Sequence, residues 1–143
     1  SLHLQPARLE EIVRERFQRY EAIKKKEVLL EQYRMEDARF AVAAYGATAR
    51  IVKSAVDKAR EEGIPVGLIR PITVWPFPER EIAAAAGTVE QFLCVEMSMG
   101  QMVEDVRLAV NGRRPVAFYG RTGGVVPVPA EILAEIRKMA GRA

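Results

Sequence analysis

Four short apolar runs recur in the sequence, and amphipathic helical stretches separate them. The apolar runs lie at residues 40–45, 66–69, 92–95 and 116–119. Helical spacing of apolar residues marks 48–62, 79–86, 101–110 and 130–140. Strands that are apolar throughout are buried on both faces, and the helices between them connect parallel strands. The pattern predicts an α/β fold, a three-layer, open, mainly parallel sheet with helices on both faces, over residues 40–143.

The first 39 residues follow different patterns. Apolar residues recur every three or four positions from Leu9 to Ile23, with charged residues between them, which predicts an N-terminal amphipathic helical arm over residues 1–27. The period breaks over residues 28–39, which we interpret as an extended connector into the α/β domain.

Two residue types that bind metals or catalyse reactions are scarce. The 143 residues include one cysteine, Cys94, and one histidine, His3. A chain of this length buries about two thirds of its surface without a disulfide or a metal. One thiol cannot hold an iron–sulfur cluster alone, and one terminal histidine leaves almost nothing for a zinc site or a catalytic triad. We therefore assign no catalytic or metal residue, and the single cysteine suggests a reducing, cytoplasmic compartment.

Charge and hydropathy exclude two classes of partner. The net charge is +3, and the three lysines 24–26 are flanked by acidic residues, so we expect no nucleic-acid partner. The apolar runs are far shorter than the ~20 residues of a membrane-spanning helix, so we expect no membrane partner. The first residue, Ser1, is not methionine, so we expect a piece of a longer chain.

Ligands and partners of open parallel sheets meet the carboxyl ends of the strands. At the first such end, Gly46 and Thr48 open a helix and are a weak anion-site candidate, although simple N-capping by Thr48 is the favoured interpretation. The last end carries a second weak candidate, an anion-binding nest of Arg121, Thr122, Gly123 and Gly124. A shaped connector is the favoured interpretation there.

The two middle loops are candidates for an interface. Trp75 and Phe77 lie in a proline-rich segment and are either core residues or anchors for another surface. Arg70 ends one apolar run, where it could pair with a carboxylate such as Glu96 on a neighbouring strand, and for Glu96 a structural role is favoured over catalysis. The full set of interface candidates is Arg70, Trp75, Phe77, Glu96, Met97, Met99, Gln101, Met102 and Arg121.

Four strings in these loops carry a family resemblance. They are AYGATAR at 44–50, GLIRPITVWPFP at 67–78, VEMSMGQMVEDV at 95–106 and FYGRTGG at 118–124. In this order they resemble the C-terminal part of the alpha-type subunit of 2-oxoacid:ferredoxin oxidoreductases, most of all the ketoisovalerate (branched-chain) type. The order of elements also resembles the transketolase C-terminal domain.

The resemblance implies a role within a larger enzyme. Members of this family oxidatively decarboxylate a 2-oxoacid, here 2-oxoisovalerate, to an acyl-CoA, with thiamine diphosphate and Mg, and pass electrons through iron–sulfur clusters to ferredoxin. It implies an upstream pyrimidine-binding domain in the same subunit and other oxidoreductase subunits as partners, with CoA and ferredoxin serving the whole enzyme. The present domain would be structural, hold no cofactor and be inactive by itself.

Three departures and two alternatives accompany the resemblance. Relatives tend to carry Thr at the position of Val128 and an acidic residue at that of Ala130. We therefore expect the last helix to lack an N-cap, which lowers its stability by about 0.5–2 kcal/mol. They also often have Asn at Ser98.

One alternative function is that of a free-standing nucleotide- or acyl-CoA-binding module that uses 46–48 and 120–124. The other is an oligomerisation module whose arm pairs with its own copy.

Overall fold

A computed structural model describes residues 2–142. The elements in chain order are α1 Pro6–Lys26, β1 Leu30–Tyr33, β2 Phe40–Ala43, α2 Gly46–Glu61, β3 Val66–Pro71, α3 Glu79–Ala85, β4 Gln91–Glu96, α4 Met102–Val110, β5 Val116–Gly120 and α5 Pro129–Met139. The helices and strands expected within residues 40–143 are all present, with ends that differ by one or two residues.

The five strands form one sheet in the order β1-β3-β2-β4-β5. Strands β2 to β5 are parallel to their neighbours, and β1 lies antiparallel to β3. The expected mainly parallel sheet is confirmed. The segment 28–39 is more than a connector, because it contributes β1, whose Leu30 lies opposite Pro71. An edge strand has an open side and needs no continuous apolar run, so its sequence lacked the signal carried by the central strands.

Helices cover both faces of the sheet and divide the core in two. Val42 and Leu68 face α2 and α5, whereas Ala41, Ile69 and Phe92 face α3 and α4. Side chains alternate between the faces of a strand, so a strand covered on both sides is apolar at every position.

The arm is a single helix that lies mostly in solvent. Pro6 stands in its first turn, a favourable position for proline. None of residues 6–26, all of which the structure describes, is buried. The arm contacts the α/β domain near its C-terminal end, where the rings of Tyr20 and Trp75 meet with centroids 5.7 Å apart. No helix within residues 2–142 combines the length and the apolar character needed to cross a membrane.

The start of α5 is partly capped. Val128 precedes the helix, and its side chain has no atom that could accept a hydrogen bond. The Glu131 carboxylate accepts a hydrogen bond from the Val128 amide at 3.0 Å. The hydrogen bond that an N-cap side chain would accept is therefore absent, as expected, while the reciprocal bond of a capping box, from the N-cap amide to the Glu131 carboxylate, is present.

Candidate interface at the carboxyl edge of the sheet

The loops that follow β2 to β5 share one edge of the sheet, because these four strands are parallel. Glu96 and Gly120 are paired at the ends of β4 and β5. The amide of Arg121 donates to the carbonyl of Glu96 at 3.1 Å, which joins the last two loops. The geometry brings most of the interface candidates to this edge.

Glu96 is the only carboxylate buried among the described residues, with a relative exposure of 1%. Its Oε1 accepts a hydrogen bond from the amide of Met102 at 2.8 Å, and its Oε2 accepts from the amides of Gln101 and Val103 at 3.0 and 3.3 Å. A carboxylate at the N-terminus of a helix binds unpaired amides and is favoured by the helix dipole. Glu96 thus caps α4 and holds the loop between β4 and α4.

The expected pairing of Arg70 with Glu96 is wrong. Strand β2 lies between β3, which carries Arg70, and β4. The Nη1 of Arg70 instead donates to Oε2 of Glu31 on β1 at 3.0 Å, and Lys53 donates to Oε1 of the same carboxylate at 3.0 Å. The hydrogen bond from Lys53, and then that from Arg70, lower the pKa of Glu31. The sequence did not indicate Glu31 because β1 itself was not predicted.

The two aromatic residues of the proline-rich loop have different environments. Phe77 packs against the core on the α3 and α4 side. Trp75 is 54% exposed and contacts Tyr20 of the arm. Ile72 and Val74 in the same loop are exposed as well. One of the two aromatics is thus a core residue, and the other faces outward with an apolar loop around it.

The methionines divide in the same way. Met102 is buried against the core, whereas Met97 is about half-exposed and Met99 is 83% exposed. Val125 and Val126 are exposed in the loop that follows β5. Large apolar side chains on one edge of a domain are typical of a protein–protein contact.

The first anion-site candidate differs from its expected form. Gly46, at a φ of +57°, turns the chain from strand into helix, and α2 begins there. Thr48 therefore lies inside the first turn, buried, while Tyr45 is the N-cap residue. The expected capping by Thr48 is wrong, because the helix starts two residues earlier than its apolar spacing indicated.

The second anion-site candidate is a tight turn beside an ion pair. Gly123 and Gly124 both have positive φ, and the amide of Val125 donates to the carbonyl of Thr122 at 3.1 Å. The guanidinium of Arg121 lies 3.4 Å from the Glu131 carboxylate. This pairing offsets the one positive charge of the turn, which favours its interpretation as a connector.

The donor set does not fit a metal or an iron–sulfur cluster. Within residues 2–142, no three His, Cys, Asp or Glu side chains lie close enough together to hold a metal ion. Cys94 is buried in β4, where burial raises the pKa of its thiol. A buried thiol of this kind is a poor ligand, because metals bind the thiolate.

Comparison with known proteins identifies the family. A family model described as pyruvate:ferredoxin oxidoreductase core domain II matches residues 38–132, about two thirds of the chain. The chain belongs to this family. The chain is 46% identical over 124 residues to the ketoisovalerate oxidoreductase subunit VorB of Methanothermobacter marburgensis, covering 87% of the chain and 35% of the relative. It is 43% identical over 104 residues to the 2-oxoglutarate synthase subunit KorA of Methanothermobacter thermautotrophicus, covering 73% and 28%.

The chain spans about a third of the length of these curated relatives. The resemblance to alpha-type 2-oxoacid:ferredoxin oxidoreductase subunits, drawn from the four loop motifs, is confirmed, and these relatives are subunits of oxidoreductases.

Two solved structures share the fold. The first is a 2-oxoglutarate:ferredoxin oxidoreductase from Magnetococcus marinus, with a TM-score of 0.84 and 22% identity over 96% of this chain and 24% of that chain. The second is a split-gene transketolase, with a TM-score of 0.62 and 15% identity over 72% of this chain and 38% of that chain. At these identities the likeness concerns the fold, and it confirms the expected transketolase-like α/β architecture.

Proposed function

We propose that this chain is the C-terminal, transketolase-like part of an alpha-type subunit of a thiamine-diphosphate-dependent 2-oxoacid:ferredoxin oxidoreductase. The enzyme would convert a 2-oxoacid to an acyl-CoA in the cytoplasm, and this domain would bind neighbouring domains instead of the reacting groups. The carboxyl edge carries the proposal. Its buried carboxylate, Glu96, is occupied by three backbone amides, while Trp75, Met99 and Val126 are exposed.

The proposal assigns the cofactors to other parts of the enzyme. Thiamine diphosphate and Mg would lie between an upstream pyrimidine-binding domain and another subunit, and the iron–sulfur clusters, CoA and ferredoxin would bind elsewhere. The donor chemistry of this chain supports that assignment, because burial raises the pKa of its one thiol and its one histidine lies at the third position.

We further propose 2-oxoisovalerate as the substrate of the whole enzyme. The likeness to a ketoisovalerate oxidoreductase subunit extends over 87% of the chain, compared with 73% for the likeness to a 2-oxoglutarate synthase subunit. Comparing kcat/KM for the two acids in the assembled enzyme tests this assignment. A higher value for 2-oxoglutarate would overturn it.

A complementation experiment tests the role of the domain. The other parts of the enzyme, expressed without residues 1–143, should produce no acyl-CoA from 2-oxoisovalerate, CoA and an electron acceptor. Co-expression with this chain should restore assembly and turnover, whereas the chain alone should show neither turnover nor thiamine diphosphate binding by calorimetry. Turnover by the chain alone, or full activity without it, contradicts the proposal.

The exposed apolar face of α1 favours one alternative function, an oligomerisation module. Leu9, Val13 and Phe17 are all exposed on one side of the helix. Light scattering on the full chain and on a chain lacking residues 1–27 separates the two functions. The proposed function predicts a monomer in both cases, whereas an oligomer that dissociates without the arm supports the alternative.

A further inference from the structure

The outer half of the proline-rich loop, residues 72–75, depends for its position on the residue just before strand β1. The amides of Ile72 and Thr73 donate to the carbonyl of Leu29 at 2.9 and 3.1 Å. The hydroxyl of Thr73 accepts a hydrogen bond from the Leu29 amide at 3.0 Å. Within the described chain, Leu29 is the only residue outside the loop that hydrogen-bonds to residues 72–75.

The hydrophobic core does not hold this half of the loop. Ile72, Val74 and Trp75 are all more than half exposed. The ring of Trp75 meets that of Tyr20 on α1, with centroids 5.7 Å apart. Because α1 has no buried residue, this ring contact does not fix the loop to the core either. The loop enters the core only after Trp75, at the buried Pro76.

Leu29 is held in turn by β1. The ladder with β3 begins at Leu30, next to Leu29, and runs to Tyr33. At this far end, the Tyr33 hydroxyl donates to Oδ1 of Asp57 on α2 at 2.8 Å. Residues 72–75 are thus connected to the sheet through the whole length of β1.

Strand β1 is held less firmly than the central strands. None of its four residues is buried, whereas all four residues of β2 are buried. Its Glu31 accepts hydrogen bonds from Lys53 and Arg70, but the side chains of these ion pairs are at least one third exposed, and exposed ion pairs contribute little to stability. Elements with few buried contacts open most easily. We therefore expect β1 to leave the sheet before any other strand does.

We propose that β1 acts as a latch on the proline-rich loop, so that β1 and residues 72–75 open and close as one unit. When β1 opens, the amide and carbonyl of Leu29 move with it, and residues 72–75 lose their hydrogen bonds to the rest of the chain. The position of Trp75 at the carboxyl edge then follows the state of β1. The inference concerns this chain alone and does not depend on the proposed function.

The latch gives the fold a conformational device. A ligand or a neighbouring domain that binds one state of β1 more tightly than the other shifts the equilibrium between them. It would thereby hold or release the apolar residues Ile72, Val74 and Trp75 without touching them. The signal would travel about 13 Å, the length of strand from Tyr33 to Leu29.

Residue-resolved hydrogen exchange on the full chain tests the inference from the far end of β1. Tyr33→Phe removes only the hydroxyl that bonds to Asp57, and Tyr33 has no hydrogen bond to the loop. We expect the amides of Ile72 and Thr73 to exchange about two- to tenfold faster, the factor for one lost hydrogen bond. The β1 amides that donate to β3 should accelerate by the same factor. The matched control is Tyr119→Phe in β5, at the opposite edge of the sheet, which should leave both sets unchanged.

A second variant tests the latch from the loop end. Thr73→Val keeps the shape of the side chain and removes the acceptor for the Leu29 amide. The exchange of the β1 amides should accelerate together with that of Ile72. The control is Thr88→Val, which removes a hydroxyl bonded to the carbonyl of Ala85 outside this unit and should affect neither set.

The wild-type chain supplies a third measurement. Low concentrations of urea should accelerate the exchange of the β1 amides and of Ile72 and Thr73 with the same dependence, because one opening exposes the same surface for both sets. This measurement decides the question even if a variant fails to fold. Different urea dependences, acceleration of only one set in either variant, or no acceleration in both variants overturns the inference.

Discussion

The carboxylate of Glu96 should contribute several kcal/mol, about 2–4, to the stability of the fold, and Glu96→Gln tests this with little change in volume. The native carboxylate offers Oε1 to the Met102 amide and Oε2 to the Gln101 and Val103 amides. A glutamine side chain has one oxygen acceptor and one NH₂ donor. In either orientation, at least one amide of the first turn of α4 faces a donor.

The geometry allows an estimate of the loss. A buried amide without an acceptor costs about 1–3 kcal/mol. Loss of a partly buried negative charge at the N-terminus of a helix adds up to ~2 kcal/mol. We therefore expect Glu96→Gln to lower the free energy of unfolding by about 2–4 kcal/mol, which a domain with typical stability of about 5–15 kcal/mol survives in the folded state.

Urea unfolding followed by far-ultraviolet circular dichroism measures the effect. The expected loss corresponds to a fall in the urea midpoint of about 1–2 M. The matched control is Glu104→Gln in the first turn of the same helix, where the carboxylate is exposed and pairs with Arg107 at 3.4 Å. The control should change the stability by less than about 0.5 kcal/mol. If Glu96→Gln has as small an effect as the control, the capping argument is refuted.

Three further predictions concern other parts of the domain. Arg60 donates to two backbone carbonyls and to Asp37. Arg60→Lys should lower the free energy of unfolding by about 1–3 kcal/mol in urea unfolding, because an ammonium group cannot span all three acceptors. Wild-type stability of this variant would contradict the prediction. Hydrogen bonds from Arg137 lower the pKa of Glu62 from its ordinary value of 4.5. Glu62→Gln should therefore destabilise the chain at neutral pH. The difference from wild type should disappear as the pH falls below 4.5, because the ion pair stabilises the fold only while the carboxylate is ionised. A pH-independent difference would exclude that ion pair as the cause. Cys94 is buried, so a thiol reagent should modify it only after unfolding, and rapid reaction of the native chain would contradict its placement.

The central strands and the helices could be predicted because their signals are local. The run 92–95 is apolar at every position, and the structure places β4 at Gln91–Glu96 between two helical layers. The arm was also predictable from a local signal, since its helical spacing of apolar residues corresponds to α1 at Pro6–Lys26.

The edge strand and the ion pairs could not be predicted in this way. Strand β1 is only partly buried, so its sequence has neither the apolar run of a central strand nor a clear alternation. Without β1, the partner of Arg70 was assigned to Glu96, and without the strand order, the separation of β3 from β4 by β2 was unknown.

The sequence by itself determined the α/β class, the positions of the loops and, through four motifs, the family. The spacing of apolar residues and the motif residues lie within single segments, so these features can be recognised from the residues of each segment alone. Only the tertiary structure decided that Phe77 packs inward while Trp75 faces the arm, and that Glu96 caps a helix. Such outcomes depend on which elements are neighbours and on the direction of each side chain at the end of its strand, and neither is encoded in a local pattern.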